Sequence, residues 1–249
     1  MAGLQTRFIS NYWGIIVLLL VWASSIHLSN LNSIVLPSPA MVAMDVVGNP
    51  ELYVMQGLRT LLIASVGLLL GIAAGTALAV VSWLSTTLRG MLTPLALVLG
   101  SVPVVALIPI IARLIGAGTP SILSIVAIIT FFPAFVLTSS GMQSVPLGSK
   151  DLFQVLGARK VDLLTRLALP AAVPHWLVSL RTSAPLAMLA AMTGEFLIGS
   201  SGLGYLLRVS SSNFQTSRVI GAALLSTVFA LMMVGATQAL EREALRRWK

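Results

Sequence analysis

The sequence predicts an all-α polytopic membrane protein with six transmembrane helices, and three observations carry that expectation. Of its 249 residues, 57% are hydrophobic and only 9% charged, whereas a soluble domain carries about 25% charged residues. Long apolar runs recur, most of them near the ~20 residues that cross the hydrocarbon of a bilayer. The basic residues lie between those runs with a marked bias to alternate connections, which sets an orientation.

Arg7 precedes the first apolar run, Tyr12 to Ile26, where Trp13 and Trp22 are placed like interfacial anchors. The run is short, so tilt or local thinning must accommodate it. No small-residue cleavage site follows it, so it reads as a retained helix. From His27 to Gln56 the chain is more polar, with LPSPAMV at Leu36–Val42 and a turn signal at Gly48-Asn49-Pro50. Pro37 and Pro39 force an extended backbone, after which Ala40–Val47 suits a short interfacial helix.

The second span, Leu58–Trp83, carries Gly67, Gly71 and Gly75 at intervals of four. Small residues on one stripe let helix backbones approach, so a packing seam is expected there. Pro94, Pro103 and Pro109 lie in or beside the third span, Met91–Ile115. Three prolines do not leave a straight helix, and the freed carbonyls need protein or a wet cavity. The fourth span, Ser121–Leu137, includes Phe131-Phe132-Pro133.

Next comes Asp151–Pro170, the one long polar-studded helical segment between apolar spans. Leu152, Leu156, Leu163 and Leu167 recur at helical spacing, with Arg159, Asp162 and Arg166 on another face. That suits one helix, or two short helices about Gly157, lying on a surface with one face buried. Leu169-Pro170 is expected to end the segment, because proline lacks the amide that a helix interior must donate. The fifth span, Trp176–Ile198, contains Pro185; a Ser- and Gly-rich stretch, Gly199–Thr216, leads to the sixth, Val219–Leu240. The chain thus divides into 1–55 (first span and its outer connection), a core of 56–240, and a charged tail, 241–249.

With the amino end inside, the inner connections hold Arg7, Arg89, Lys150, Arg159, Lys160, Arg166, Arg242, Arg246, Arg247 and Lys249. The outer ones hold only Arg59, Arg113, Arg208 and Arg218. This bias makes both termini cytoplasmic, and Arg181 can snorkel to the same side. The net charge of +8 is therefore a topology signal, and scattered cations give no nucleic-acid surface. With no cysteine there is no thiolate metal site or thiol nucleophile. His27 and His175 lack metal-ligand company, so no metal site is expected. No Walker-type loop, nucleophile elbow or zinc-protease motif occurs, so catalysis and direct ATP binding are not expected.

Gly157, nine residues, then Leu167-Ala-Leu169-Pro170 resembles the coupling loop of ABC-importer permeases. That loop opens with Glu-Ala-Ala, where this chain has Asp151, Leu152 and Phe153. Further matches follow in order: Leu36-Pro37-Ser38-Pro39, then Ser101-Val-Pro103, Ala106-Leu-Ile-Pro109 and Gly116-Ala-Gly118. Phe131-Phe132-Pro133 with Gly141, and Glu195 with Gly202-Leu203-Gly204, complete the series. Together they are similar to the nitrate, taurine and aliphatic-sulfonate branch of binding-protein-dependent inner-membrane permeases.

The resemblance implies a type I importer transmembrane domain in a bacterial inner membrane. It implies a second permease copy as homodimer partner, two ATPase subunits that bind ATP and Mg, and a periplasmic or lipid-anchored substrate-binding protein. The ATPase-coupling residues would be Asp151, Leu152, Phe153, Leu156, Gly157, Ala158, Leu169 and Pro170. The translocation pathway would involve Ser101, Pro103, Pro109, Arg113, Phe131, Phe132 and Glu195. The solute would be small and anionic, a sulfonate, taurine, nitrate or aromatic acid. Arg113, where the family has an apolar residue, either attracts such an anion or snorkels to the outer interface. Glu195 is expected to pair with Arg113 or Arg208, or to gate the outer vestibule. The alternative is an ATP-independent carrier, for which Glu195 is the one firm intramembrane acid.

Overall fold

The computed structural model describes residues 35–146 and 148–248, with Trp13, Gly14, Val17, residues 20–22, Ser24, Ser25 and Asn32 besides. Seven of the fifteen residues of the expected first span lie outside these residues, as do Arg7 and His27. Among the described residues the chain is helical, with no strand.

Ser38 opens the first helix, α1 (Pro39–Gly48): its hydroxyl accepts from the Met41 amide at 3.2 Å, and Pro39 occupies the first turn. Both are N-terminal signals, one supplying an acceptor and the other needing none. The Asn49 amide returns to the Asp45 carbonyl at 3.1 Å, and Pro50 starts α2 (Pro50–Leu84) at once. With 35 residues, α2 is about 52 Å long at ~1.5 Å per residue, so it overshoots the bilayer core.

The glycine stripe of α2 is buried against α5 (Thr119–Gly141). A Cβ on Gly67 would stand 2.6 Å from the Val126 side chain, and one on Gly75 2.6 Å from the Phe131 carbonyl. The backbones touch where the small residues allow it, which is the source of helix association in lipid.

The proline-rich third span is two helices, α3 (Thr86–Ser101) and α4 (Val104–Ile115). Pro94 and Pro109 sit inside α3 and α4, and the chain breaks only at Val102-Pro103, where Pro103 has ψ 123°. Two shorter helices replace the single run, and neither is long enough to stand among the candidate membrane spans. Gly116 and Gly118, at φ 89° and 134°, turn the chain into α5.

The segment after α5 folds as α6 (Ser149–Val155) and α7 (Lys160–Leu163), joined through Gly157 at φ 75°. Of the two sequence alternatives, two short helices about Gly157, this is the second. The expectation that Pro170 ends the segment is corrected. A π turn, Leu164–Ala168, carries the helix straight into α8 (Leu169–Ile198), giving one helical run, Lys160–Ile198, of 39 residues. A wider turn closes on the fifth residue rather than the fourth. It displaces the backbone just where the proline ring and its missing N–H would conflict with the preceding turn.

Beyond α8 lie a short α9 (Leu203–Ser212) and α10 (Thr216–Trp248), which carries the charged tail as continuous helix. Among the described residues four helices are long and apolar enough to cross a membrane: Pro50–Leu84, Thr119–Gly141, Lys160–Ile198 and Thr216–Arg246. The main core lies among α2, α5, α8 and α10, around Leu68, Ile122, Val126, Ala184, Ala187 and Met188. Arg181 reaches Glu241 at 3.2 Å, tying α8 to α10.

Candidate functional site

The apolar residues of the Asp151–Pro170 segment and the start of α8 divide between two environments. Leu164, Ala168 and Ala172 pack with Met142, Val80 and Trp83, and Leu163 is buried beside them. Leu152, Val155 and Leu156 are exposed, at 58%, 86% and 74%. The single buried face expected from the leucine spacing is therefore corrected. Gly157 reverses the chain between α6 and α7, so Leu152 and Leu156 share no face with Leu163. Val155 joins them, a residue the spacing argument passed over although it lies three after Leu152.

Asp151 stands in the first turn of α6, where a negative charge favours the exposed amides. Phe153 and Ala158 are half-buried, and the Ala158 amide donates to the Phe153 carbonyl at 2.9 Å across the Gly157 turn. Asp162 accepts from the Arg159 amide at 3.1 Å, which fixes the start of α7. Leu169 and Pro170 border a cavity of about 300 Å³ with Thr76, Thr138, Thr165 and Trp176. The Trp176 indole donates to the Thr76 hydroxyl at 2.9 Å, so the root of α8 is bonded to α2.

A larger cavity, about 840 Å³, lies where the broken helix faces α5. Val102, Val104, Leu107, Ile111, Phe131 and Phe132 are in its wall, with Leu186 from α8. It gathers two of the residues expected on the pathway, Phe131 and Phe132, around the break that Pro103 makes. Pro109 lies inside α4 on the same wall element, and the Ser101 side chain is outside the described residues. Arg113 is exposed near the end of α4; it is outside the cavity lining that Ile111 joins.

Glu195 is fully buried, and its pairing is not the expected one. Its Oε2 accepts from the Thr60 hydroxyl at 2.8 Å and the Gly204 amide at 3.0 Å. The Leu203 amide donates to Thr60 Oγ1 at 2.8 Å, and the Gly202 amide to Gln56 Oε1 at 2.6 Å. Gly202 sits at φ 98°, and a Cβ there would collide with the Glu195 carboxylate. Only glycine meets both conditions. Arg208 instead donates to the carbonyls of Phe196, Leu197 and Gly199, the last at 2.7 Å. The guanidinium serves the orphan carbonyls at the end of α8. Glu195 and Arg208 thus fix the same corner separately, one by its amides and one by its carbonyls.

A second polar cluster escaped sequence reasoning. Asp45 accepts from Arg218 at 3.0 and 3.3 Å and from the Tyr53 hydroxyl at 2.5 Å. Arg218 also donates to Gln215 at 3.1 Å. These bonds join α1, α2 and α10 beside a cleft of about 310 Å³ that Met41 and Phe214 help to line. The only sequence signal was an acid in an otherwise apolar interfacial helix. Among the described residues no group of three or more His, Cys, Asp or Glu is placed to hold a metal. His175 packs against Gly141.

A family model described as "Binding-protein-dependent transport system inner membrane component" matches residues 67–246. The chain is 31% identical over 221 residues to the formylaminopyrimidine transport permease ThiX of Halalkalibacterium halodurans, covering 88% of this chain and 86% of that one. It is 30% identical to the riboflavin permease RibX of Chloroflexus aurantiacus, covering 94% and 88%. The taurine permease TauC of Escherichia coli is 25% identical over 91% of this chain and 85% of that one. Among solved structures, the fold matches a bacterial alginate ABC transporter chain at TM-score 0.66 and 14% identity, covering 96% of this chain and 97% of that one. A chain of the MetNI methionine transporter matches equally, at TM-score 0.66 and 15% identity, over 78% and 98%. The chain therefore belongs to the family of binding-protein-dependent transport system inner-membrane components, the permease subunits of ABC importers, on the branch that includes the sulfonate, nitrate and taurine permeases.

Proposed function

We propose that this permease couples solute import to ATP hydrolysis through residues 151–170, which dock on the ATPase subunits of the importer. The observation that carries the reading is the exposed apolar group of Leu152, Val155 and Leu156 on α6, which the Gly157 turn joins to a helical run from Lys160 to Ile198. Large apolar side chains exposed together on a rigid turn mark a protein contact. Pushing on that group moves α8, and with it the wall that Leu186 contributes to the cavity. A nucleotide shifts the balance between inward and outward access only by binding one state better than the other.

In this reading two copies of the chain form the pathway, two ATPase subunits bind ATP and Mg, and a binding protein outside the membrane delivers the solute. Six crossings with both termini cytoplasmic place 151–170 on the ATPase side. The chain itself performs no catalysis. The solute is a small molecule of the range the branch carries: sulfonate, taurine, nitrate or aromatic acid. An ATP-independent carrier would instead release and rebind a proton or ion at Glu195. Hydrogen bonds from Thr60 and Gly204 hold its Oε2 at the α8–α9 corner, which supports a fixed role for that oxygen, while Oε1 is buried without a hydrogen-bond partner.

The test is to copurify ATPase subunits with the chain from membranes in mild detergent. Leu152→Asp and Val155→Asp should abolish copurification while the chain still inserts. Retention of the ATPase by both variants would remove the docking assignment.

A further inference from the structure

The cavity of about 840 Å³ beside the helix break has a chemistry more specific than a general pathway. Its described side chains are Ala, Gly, Val, Leu, Ile, Phe and Pro; among them there is no charged group and no hydroxyl. Volumes of ~300–1,000 Å³ with predominantly apolar walls are those of organic-ligand sites. An inorganic oxyanion entering such a wall loses its hydration and meets no cation or side-chain donor in exchange. Arg113 supplies none, since it lies outside the lining.

The aromatic part of the wall is held in place. The Phe131 ring stacks on Phe135 with centroids 6.0 Å apart and planes 8° from parallel. Phe132 is seated against Gly100: a Cβ there would stand 2.8 Å from three of its ring carbons. Hydrogen bonding from the described wall is left to main chain, and α3 and α4 are interrupted between Gly100 and Val104, all three of Gly100, Val102 and Val104 lining the cavity. Interrupted helical backbone at membrane depth is tolerated against protein or water and not against acyl chains. Flat apolar faces with hydrogen-bonding edges are what rings and a broken helix together accommodate.

Resting on the reading of α3–α5 as the translocation wall, we propose that this cavity is a transit site for solutes with a flat, uncharged aromatic or heteroaromatic face. Nitrate and taurine are poor occupants. Within the range of solutes the branch carries, the cavity selects the aromatic end.

The chain has no cysteine, so single-cysteine variants read the cavity directly. Leu107→Cys and Ile111→Cys are placed in the assembled importer in proteoliposomes and treated with a water-soluble cationic methanethiosulfonate, the modified peptide being located by mass spectrometry. Both should react in at least one nucleotide state. Riboflavin and 4-aminopyrimidine should slow the reaction about 3- to 10-fold, the scale of a single aromatic contact, whereas taurine and nitrate at equal concentration leave it unchanged. Gly100→Ala, which displaces the Phe132 ring, should weaken that protection while ATPase copurification persists. Protection by the two anions, or by none of the four solutes, overturns the solute class and leaves the pathway standing. Absence of reaction at both cysteines in every nucleotide state overturns the pathway reading itself. Disulfide formation between two Leu107→Cys chains would assign the cavity to the contact between copies and overturn the solute site.

Discussion

Arg218 grips Asp45 with two nitrogens, at 3.0 and 3.3 Å, and so joins two helices across 173 residues of sequence. The pair ties the interfacial helix α1 to the first turn of α10, and Tyr53 adds a third bond from α2. Both side chains keep about a fifth of their surface, 22% and 20%, so the pair is partly desolvated and worth more than a fully exposed one.

Asp45→Ala should therefore destabilise the detergent-solubilised protein by about 1–3 kcal/mol, since it strands a guanidinium and a phenol together. Thermal unfolding followed by tryptophan fluorescence measures this. Asp45→Arg combined with Arg218→Asp should recover part of the loss; an unchanged melting temperature in Asp45→Ala would show that the outer helix is held by other contacts.

At the Glu195 corner, Gly202→Ala should be more damaging than Thr60→Val. The alanine meets both an unfavourable φ, costing about 1–2 kcal/mol, and the Glu195 carboxylate itself. Thr60→Val removes one hydroxyl that serves Glu195 and the Leu203 amide, and leaving those groups unmet costs about 1–3 kcal/mol. Protease protection of the 199–204 turn in membranes ranks the two. A Thr60→Val effect larger than that of Gly202→Ala would contradict the geometry.

Gly157→Ala places a methyl group at φ 75° and should strain the α6–α7 turn by about 1–2 kcal/mol. The spans should remain folded, because nothing lies within 4 Å of that methyl position. The expected phenotype is ATP hydrolysis with reduced uptake, read in proteoliposomes as solute transported per ATP. Normal coupling would detach this turn from the proposed drive.

In α2, Gly71→Val should prevent packing against α5, since even a Cβ there would clash with the Thr130 hydroxyl and lie 2.5 Å from the Ala127 carbonyl. Gly90→Val is the matched control, with nothing within 4 Å. Small-to-large changes in well-packed contacts cost about 1–3 kcal/mol or more. Loss of a folded detergent-stable fraction for the first and its retention for the second checks the seam.

The parts legible in the sequence are those dictated by local or periodic chemistry. The glycine interval of four in α2 is itself the packing surface, and the two-helix form of 151–170 follows from Gly157. Three prolines announced a broken third span, but sequence does not say which one breaks it. Pro94 and Pro109 are absorbed within helices, and the gap opens only at Pro103. Pro170 misled because a π turn takes up its defect, a compensation written in no single residue. Leu152 and Leu156 were expected to be buried on periodicity alone, although a partner can cover an apolar face as well as the protein's own core. Asp45 and Arg218 are brought together by tertiary structure, and the Glu195 partners likewise come from α2 and α9.

The helical run from Lys160 to Ile198 is fastened near one end by Glu195 and Arg208 and ends at the other beside the Gly157 turn. From Glu195 to Lys160 is about 50 Å along the run at ~1.5 Å per residue. Were the run straight, a swing of about 5° about Glu195 would sweep the Lys160 end through roughly 4 Å, most of a helical pitch, although Pro174, Pro185 and the π turn give it places to bend. Near Glu195 the same swing would scarcely shift an atom, and Leu186, nine residues from Glu195, would move about 1 Å. On the proposed coupling, a stroke at the Gly157 end would be geared down about fourfold at Leu186.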